Sequence, residues 1–288
     1  MIDNGTPGDD NGASMLIGSN AADTLNGYGG NDDLHGLGSN DILIGDPGNE
    51  VINGGAGIDL VSYAYATHSV SVGLGANGSG SASGGDDWIQ SGAGTDCLYG
   101  GAGGDTLDQT GSGAVKLSLA TNTVSGGHAQ GDVVSGFEHV LGTAFSDTIS
   151  DNGAVNWLWG GQGSDNVRGG GGGDGLRGME GADMVWGGAG AGTFYICLGE
   201  SGPTAGRRDT IEDFSESQGD RIDLSGFLTG ADDWQLDFVG GDAFTGVREI
   251  RAEISGGNTY VTASVDGGID MWLKLEGVVT LGANDLFL

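Results

Sequence analysis

Apolar side chains recur every nine residues along much of the chain, and each stands two positions after a residue that is usually acidic. The residues before the acid are mostly glycine. Fourteen such nine-residue units fall into three blocks, and repetition at a fixed period is the signature of a repeat architecture. The apolar positions are Leu25, Leu34, Leu43, Ile52 and Val61 in the first block, Ile89, Leu98 and Leu107 in the second, and Ile149, Leu158, Val167, Leu176, Val185 and Phe194 in the third.

Each unit predicts a glycine-rich turn followed by a three-residue strand. Glycine adopts positive φ at little steric cost, so six residues rich in glycine favour a turn. A strand of three residues points its central side chain to one face and its two flanking side chains to the other. Two units then form one coil of eighteen residues, and the pattern predicts an all-β solenoid in which residues eighteen apart stack.

Composition adds a problem of charge. The 288 residues include 64 glycines and carry a formal net charge of −31. Each glycine costs about 0.5–1 kcal/mol more to order than alanine, and like charges repel in a compact state. Collagen is excluded because the glycines have no period of three, and plain disorder is disfavoured by the regular apolar residues. A ligand that neutralises the acids is therefore expected.

The acidic position of the repeat supplies the candidate ligands. Carboxylates from two stacked turns, with glycine carbonyl oxygens, would form the all-oxygen cage that Ca²⁺ prefers, whereas zinc usually binds His or Cys. The alternative is that the acids only form Asx-turns, which leaves the repulsion unanswered. The predicted side-chain ligands are Asp23, Asp32, Asp41, Glu50, Asp59, Asp87, Asp96, Asp105, Asp147, Asn156, Asp165, Asp174 and Asp183. The predicted carbonyl ligands are Gly27, Gly36, Gly45, Gly54, Gly100, Gly160, Gly169 and Gly178. The sites that contain Glu50 or Asn156 are expected to be weaker.

Four units match a known repeat closely: "GGAGIDLVS", "SGAGTDCLY", "GGAGGDTLD" and "GGQGSDNVR". They fit G-G-x-G-x-D-x-U-x, the calcium-binding pattern of RTX (repeats-in-toxin, hemolysin-type) proteins. The chain resembles that family over roughly residues 18–195. The resemblance implies a right-handed parallel β-roll that binds several Ca²⁺ ions.

Two segments interrupt the repeats, at residues 61–87 and 113–149. Their alternating apolar and polar residues predict longer strands in irregular coils that carry few or no ions. The expected division is 1–17 (degenerate edge), 18–62 (first block), 63–81 (insertion), 82–108 (second block), 109–141 (insertion), 142–195 (third block) and 196–288 (capping and secretion region).

The period stops near residue 196. Residues 209–227 resemble the segment that closes the roll in serralysin-type exoproteins, and three alternating stretches after them predict β-hairpins. Asp209, Asp213, Asp220 and Asp223 would either bind a further ion or cap the roll, with salt bridges to Arg207, Arg208 or Arg221. The ending "LGANDLFL" resembles the uncleaved signal of type I secretion, which would account for the lack of an N-terminal signal peptide.

Outward-facing side chains suggest a surface for a ligand. Trp159, Arg177 and Tyr195 lie one coil apart and would form a column on one face, suited to a glycan or a cell-surface partner. The alternative is that they pack against the C-terminal region. Only three of the nine Lys and Arg residues precede residue 200, so nucleic acid is not expected as a ligand.

Enzyme motifs are absent from the sequence: it has no H-E-x-x-H helix and no G-x-S-x-G elbow. No apolar run reaches the 18 residues of a transmembrane helix. We therefore expect a secreted, non-catalytic RTX module that folds on binding calcium and uses the type I secretion machinery. Two alternatives remain open: the non-catalytic part of an exoenzyme (serralysin-like or alginate-epimerase-like), or a stand-alone carbohydrate- or surface-binding protein.

Overall fold

The computed structural model describes residues 2–4, 15–45, 51–54, 56–63, 71–73, 76–82, 88–90, 97–100, 103–197, 199–202, 204–227, 236–265 and 268–288. Residues 2–4, 56–63, 71–73 and 76–82 are described by their backbone. The chain divides into two units, Met1–Thr143 and Ala144–Leu288. Among the described residues, no helix is long and apolar enough to cross a membrane.

The first unit is built of strands, most of which have three residues and, outside the two insertions, follow the nine-residue period. They are β1 (Ile2–Asn4), β2 (Leu16–Ile17), β3 (Thr24–Asn26), β4 (Asp33–His35), β5 (Ile42–Ile44), β6 (Val51–Asn53), β7 (Ala56–Tyr63), β8 (Ser71–Gly73), β9 (Ala76–Ala82), β10 (Trp88–Gln90), β11 (Cys97–Tyr99), β12 (Thr106–Asp108), β13 (Lys116–Ser118), β14 (Thr123–Ser125), β15 (Val133–Ser135) and β16 (His139–Leu141). Alternate strands pair in parallel in two stacks, β1-β3-β5-β7-β9-β11-β15 and β2-β4-β6-β8-β10-β12-β16.

The register of these stacks confirms the eighteen-residue coil. Thr24 pairs with Ile42, and Asp33 pairs with Val51. In the repeat strands whose side chains are described, the central residue is buried, and in β3 and β4 its neighbours are more exposed. A single inward side chain per strand is therefore enough to build a continuous apolar core.

The two insertions keep the parallel coil but change its length. In the first, Leu60 pairs with Ser79, nineteen residues later. In the second, β13 and β14 form an antiparallel hairpin that precedes a 3-10 turn at Gly127–Ala129. The prediction of longer strands is wrong for the second insertion, where β13 to β16 have three residues each. Strands of this length suffice because each needs only one buried side chain.

The second unit repeats the same plan and ends in an antiparallel sheet. Its strands are β17 (Thr148–Ser150), β18 (Trp157–Gly163), β19 (Asn166–Arg168), β20 (Gly175–Gly181), β21 (Met184–Trp186), β22 (Thr193–Tyr195), β23 (Asp209–Ile211), β24 (Arg221–Asp223), β25 (Asp237–Phe238), β26 (Glu249–Ser255), β27 (Asn258–Ser264), β28 (Met271–Leu275) and β29 (Leu286–Phe287). Its described 3-10 turns are Ala205–Arg207, Glu216–Gln218, Ser225–Phe227 and Ala283–Asp285.

Two parallel stacks again form the roll of this unit, β17-β19-β21-β23-β28 and β18-β20-β22-β24-β29. The predicted hairpins are confirmed, because β26, β27 and β28 pair antiparallel in order. Gly256 and Gly257 join β26 to β27 with φ values of 60° and 86°, which a two-residue hairpin turn requires. The fold is thus an all-β parallel β-roll with a β-rich C-terminal cap, as the sequence predicts.

Candidate metal centre

Aspartates at the acidic position of the repeat connect successive coils of the roll. In each case Oδ1 of the carboxylate accepts a hydrogen bond from the backbone N–H of the residue eighteen positions earlier. We call this set the carboxylate ladder; its bonds are Asp23 N–H to Asp41 (2.8 Å), Asp147 N–H to Asp165 (2.8 Å), Asn156 N–H to Asp174 (3.0 Å) and Asp165 N–H to Asp183 (2.9 Å). The predicted stacking of residues one coil apart is therefore present at these positions.

The second carboxylate oxygen of the ladder faces inward in the second unit. Asp165, Asp174 and Asp183 are each 1% exposed, and their Oδ2 atoms are buried without a hydrogen-bond partner. A buried acceptor of this kind costs about 1–3 kcal/mol, and more when it is charged. Three such oxygens in consecutive units indicate a ligand with positive charge.

Glycine makes room for these oxygens. A Cβ on Gly160 would lie 2.5 Å from Asp165 Oδ2 and 2.7 Å from the carbonyl oxygen of Gly178, one coil later. A Cβ on Gly169 would lie 2.8 Å from both Asp174 Oδ2 and the carbonyl oxygen of Gly187. The absent side chain thus lets a carboxylate and a backbone carbonyl converge beside the turn.

The same close approach recurs at other predicted glycines. A Cβ would come closer than 3.0 Å to the aspartate five residues later at Gly27, Gly36, Gly100 and Gly178. The carbonyl oxygen of Gly54 lies against Gly36 in the same way. Gly45 is buried at the end of β5.

Burial makes the negative charge of these carboxylates unfavourable. Burial raises the pKa of Asp165 to about 7, with the charges of Asp183 and Asp147 adding to it and the hydrogen bond from Asp147 opposing it. Burial likewise raises the pKa of Asp174 and of Asp183 to about 6. A bound cation would remove this penalty because it favours the charged form.

The donor chemistry of the site fits calcium. No three His, Cys, Asp or Glu side chains come together as a metal site anywhere in the described ranges, so carbonyl oxygens would have to complete the coordination. Ca²⁺ takes 6–8 oxygen ligands from carboxylates and backbone carbonyls, in flexible geometry. The ladder and its glycine turns provide both kinds of oxygen.

Several predicted ligands cannot be placed. Glu50, Asp87 and Asp96 lie outside the described residues, and Asp59 is described by its backbone in β7. Asp32 and Asp105 are buried at the expected position. The predicted pairs of Asp32 with Glu50, Asp41 with Asp59 and Asp87 with Asp105 thus stay predictions.

The structure adds ladder residues that the nine-residue period misses. The backbone N–H of Asp105 donates to Glu138 Oε2 at 3.0 Å, that of Asp183 to Asp209 Oδ1 at 3.0 Å, and that of Gly192 to Asp220 Oδ1 at 2.9 Å. These bonds span 33, 26 and 28 residues, because the intervening coils are longer. The signal in the sequence is an acid two positions before a buried aliphatic residue, in "EHV", "DTI" and "DRI".

The other groups of the closing segment bind backbone or aromatic rings. Asp213 accepts hydrogen bonds from the N–H groups of Gly187 and Gly188, and Asp223 accepts one from Ser225. The three arginines have these contacts: Arg207 donates to the carbonyl of Gly199, Arg208 lies over Trp272, and Arg221 lies over Phe287. Capping by hydrogen bonds therefore accounts for Asp213 and Asp223.

The outward column is arranged differently from the prediction. Trp159 lies opposite Arg177 in register, but Arg177 forms an ion pair with Glu200 of the C-terminal region. Trp157 instead stacks on Tyr195, with ring centroids 5.3 Å apart. Gly175 lies beneath the Trp157 ring and leaves room for it. The predicted column did not include Trp157, but its ring contacts those of both Trp159 and Tyr195.

Comparison with known proteins agrees with this geometry. The profile of the RTX calcium-binding nonapeptide repeat (4 copies) matches residues 4–43, 29–61, 73–107, 141–176 and 159–194, together about half of the chain. No curated protein matches the chain.

Two solved structures of repeat modules are similar to part of the chain. One is the AlgE6R3 subunit of the mannuronan C5-epimerase from Azotobacter vinelandii, with 30% identity, a TM-score of 0.38, and coverage of 50% of this chain and 78% of that one. The other is the AlgE6R2 subunit of the same enzyme, with 27% identity, a TM-score of 0.36, and coverage of 50% and 89%. On the repeat profile, which reaches all three blocks, the chain belongs to the family of RTX calcium-binding nonapeptide-repeat proteins, and it binds Ca²⁺ in several repeats.

Proposed function

We propose that this chain is a secreted module whose folding is driven by calcium. The observation that carries the proposal is the row of buried, unpartnered Oδ2 atoms on Asp165, Asp174 and Asp183. Without a cation these groups oppose folding, and with one they become ligands. A chain with net charge −31 has few other ways to offset its own repulsion.

We assign the ions to the acidic and first-glycine positions of the repeat. The carboxylates of the ladder and of the corresponding residues in the first unit supply the charged ligands, and the turn glycines supply carbonyl oxygens. Asp209 and Asp220 carry the ladder hydrogen bonds into the closing segment, since both are buried and both accept one. Oδ2 of Asp220 also accepts a hydrogen bond from the N–H of Ser215 at 2.8 Å, so we assign Asp220 to capping and Asp209 to ion binding.

Calcium concentration then controls folding. A site that binds only the folded state contributes about 2.7 kcal/mol when calcium is at 100 times its dissociation constant. Several such sites offset much of the penalty from glycine ordering and charge. The chain stays unfolded where calcium is scarce, inside the cell, and folds outside it.

A titration tests the proposal. Circular dichroism and calorimetry are recorded on chelator-treated protein as Ca²⁺ is added, and again with Mg²⁺. At pH 8 we expect the β signal to appear only with Ca²⁺, at a stoichiometry of several ions per chain. A β spectrum that is the same in chelator and in Ca²⁺ would refute calcium-driven folding.

Export by the type I machinery is part of the proposal and rests on the resemblance of residues 281–288, "LGANDLFL", to a type I secretion signal. A chain that ends at residue 280, expressed beside a type I exporter, should remain in the cell while the full chain reaches the medium. Equal export of both chains would show that residues 281–288 are not the export signal.

The chain supplies structure and ion binding and leaves catalysis to other segments or proteins. It would serve either as the non-catalytic part of an exoenzyme or as a stand-alone binding protein. The stack of Trp157 on Tyr195 favours the second, because Trp157 remains 37% exposed beside Trp159. Aromatic rings of this kind stack on sugar faces.

A glycan array distinguishes these roles. We expect Trp157→Ala to lose any glycan signal and Tyr99→Ala, at an exposed ring of the first unit, to keep it. The absence of glycan binding by the calcium-loaded chain would count against the stand-alone role.

A further inference from the structure

One unit of the third block departs from the repeat at four positions, two of which are ligand positions. It reads "DNGAVNWLW" over residues 151–159. Asp151 stands where the next units carry Gly160 and Gly169, and Asn156 stands where they carry an aspartate. The unit has therefore lost its carboxylate at the usual position and gained one five residues earlier.

The structure shows where the gained carboxylate lies. The backbone N–H of Asp151 donates to the carbonyl of Arg168 at 3.1 Å, which fixes Asp151 against the next coil. A Cβ on Gly170 would overlap Asp151 Oδ1, so the side chain of Asp151 reaches into the turn of residues 169–174. That turn ends in Asp174, the ladder residue that bonds the N–H of Asn156.

Asp151 and Asp174 form a buried pair of like charges. Asp151 is 6% exposed and Asp174 is 1% exposed. Oδ2 of each carboxylate is buried and accepts no hydrogen bond from an N–H or O–H donor of the protein. The two carboxyl groups hydrogen-bond to each other, which raises the pKa of Asp151 and lowers that of Asp174, so they lie in direct contact. Burial, with the charge of Asp174 adding to it, raises the pKa of Asp151 to about 7.

An Asx-turn accounts for Oδ1 of Asp151 but not for the burial of Oδ2. Oδ1 accepts a hydrogen bond from the N–H of Gly153 at 3.1 Å, as in an Asx-turn. The turn would form equally well on the surface, and it gives no reason to bury Oδ2 beside a second carboxylate. Two buried carboxylates with unsatisfied oxygens are stabilised by a divalent cation between them.

We propose that Asp151 is a calcium ligand, which supplies from the glycine position the carboxylate that Asn156 lacks. The coil with the most altered repeat then holds a site with two carboxylates, Asp151 and Asp174, and is not a weak point of the roll. This inference rests on the proposed calcium function and adds a ligand position that the repeat pattern does not contain.

The test counts calcium ions on the full chain by calorimetry. Asp151→Asn keeps an oxygen for the Gly153 N–H but removes the charge, and we expect it to lose one ion or to weaken one site about tenfold or more. Glu180→Gln removes one charge from an exposed side chain of the same block and should bind as the original chain does.

A double variant, Asp151→Gly with Asn156→Asp, restores the usual residues at the two ligand positions and should recover the original ion count. An unchanged count and affinity in Asp151→Asn would overturn the role of Asp151, as would failure of the double variant to recover the count. If the unaltered chain bound no calcium, the proposed function itself would fail, which is a separate result.

Discussion

At the scale of single residues, the two carboxylate oxygens of Asp165, Asp174 and Asp183 have different roles. Oδ1 of Asp165 holds the backbone of Asp147, while Oδ2 stays buried with no protein donor. The first bond sets the spacing of the coils, and the second oxygen is left for an ion. Gly160 permits both because it has no Cβ beside the carboxylate.

We predict that Gly160→Ala destabilises the calcium-loaded protein by about 1–3 kcal/mol, because the new methyl group is forced against Asp165 Oδ2 and Gly178 O. Urea unfolding in Ca²⁺ measures the change. The matched control is Gly111→Ala, since no atom lies within 4 Å of a Cβ there. That substitution should be neutral or slightly stabilising, and equal losses in both variants would contradict the steric explanation.

The sequence predicts the ligand types but not their complete set. The period identifies Asp165, Asp174 and Asp183 because each falls nine residues after the last. Asp151 is missed because it occupies a glycine position, where a carboxylate looks like a departure from the repeat. Only the burial of its side chain against Asp174 connects it to the site.

At the scale of elements, the roll continues past the point where the period ends. β23 and β24 pair with β21 and β22 although the coils between them are longer. β28 and β29 then add the last strands of the two stacks. The period fails here because it measures coil length, whereas pairing needs only a short strand with one buried apolar residue.

The final strand is expected to stabilise the cap. Leu286 in β29 is buried and pairs with Ile222 of β24, so it belongs to the core at the end of one stack. We predict that Leu286→Ala lowers the stability of the calcium-loaded chain by about 2 kcal/mol or more, from lost burial and the cavity it leaves. Thermal unfolding in Ca²⁺ gives the value.

Val278→Ala serves as the comparison, because Val278 is largely exposed, and it should change stability by less than about 0.5 kcal/mol. If Leu286→Ala also stayed within that limit, the final strand would have no part in holding the roll.

At the scale of the whole molecule, protons and calcium compete for the same carboxylates. Asp165, Asp174 and Asp183 have pKa values of about 7, 6 and 6 when folded, above the value of about 3.9 in an unfolded chain. The folded, calcium-free protein therefore binds more protons than the unfolded chain. Proton binding by these carboxyl groups therefore favours the folded state. This contribution to stability is complete below about pH 4 and is lost as the pH rises through 6 to 7.

We predict that chelator-treated protein has more β signal at pH 5 than at pH 8, because protonation of these carboxylates replaces part of the effect of calcium, and that added Ca²⁺ raises the β signal more at pH 8. Loss of net negative charge on acidification acts in the same direction. Circular dichroism of chelator-treated and calcium-loaded protein at the two pH values measures this. More calcium-free β signal at pH 8 than at pH 5 would mean that these carboxylates are not buried in the folded protein.

The hydrogen bond that each ladder aspartate makes to the preceding coil has a consequence for how the second unit assembles. When one turn becomes ordered, it positions the carboxylate that binds the neighbouring coil. Folding therefore spreads from each coil to the next. Substitution of Asp165, in the middle of the roll, removes a connection between coils that have further coils on both sides. Substitution of Asp220, near the end of the roll, removes only a terminal connection. The position of a substitution along the roll, and not only its chemistry, then decides how much of the protein it unravels.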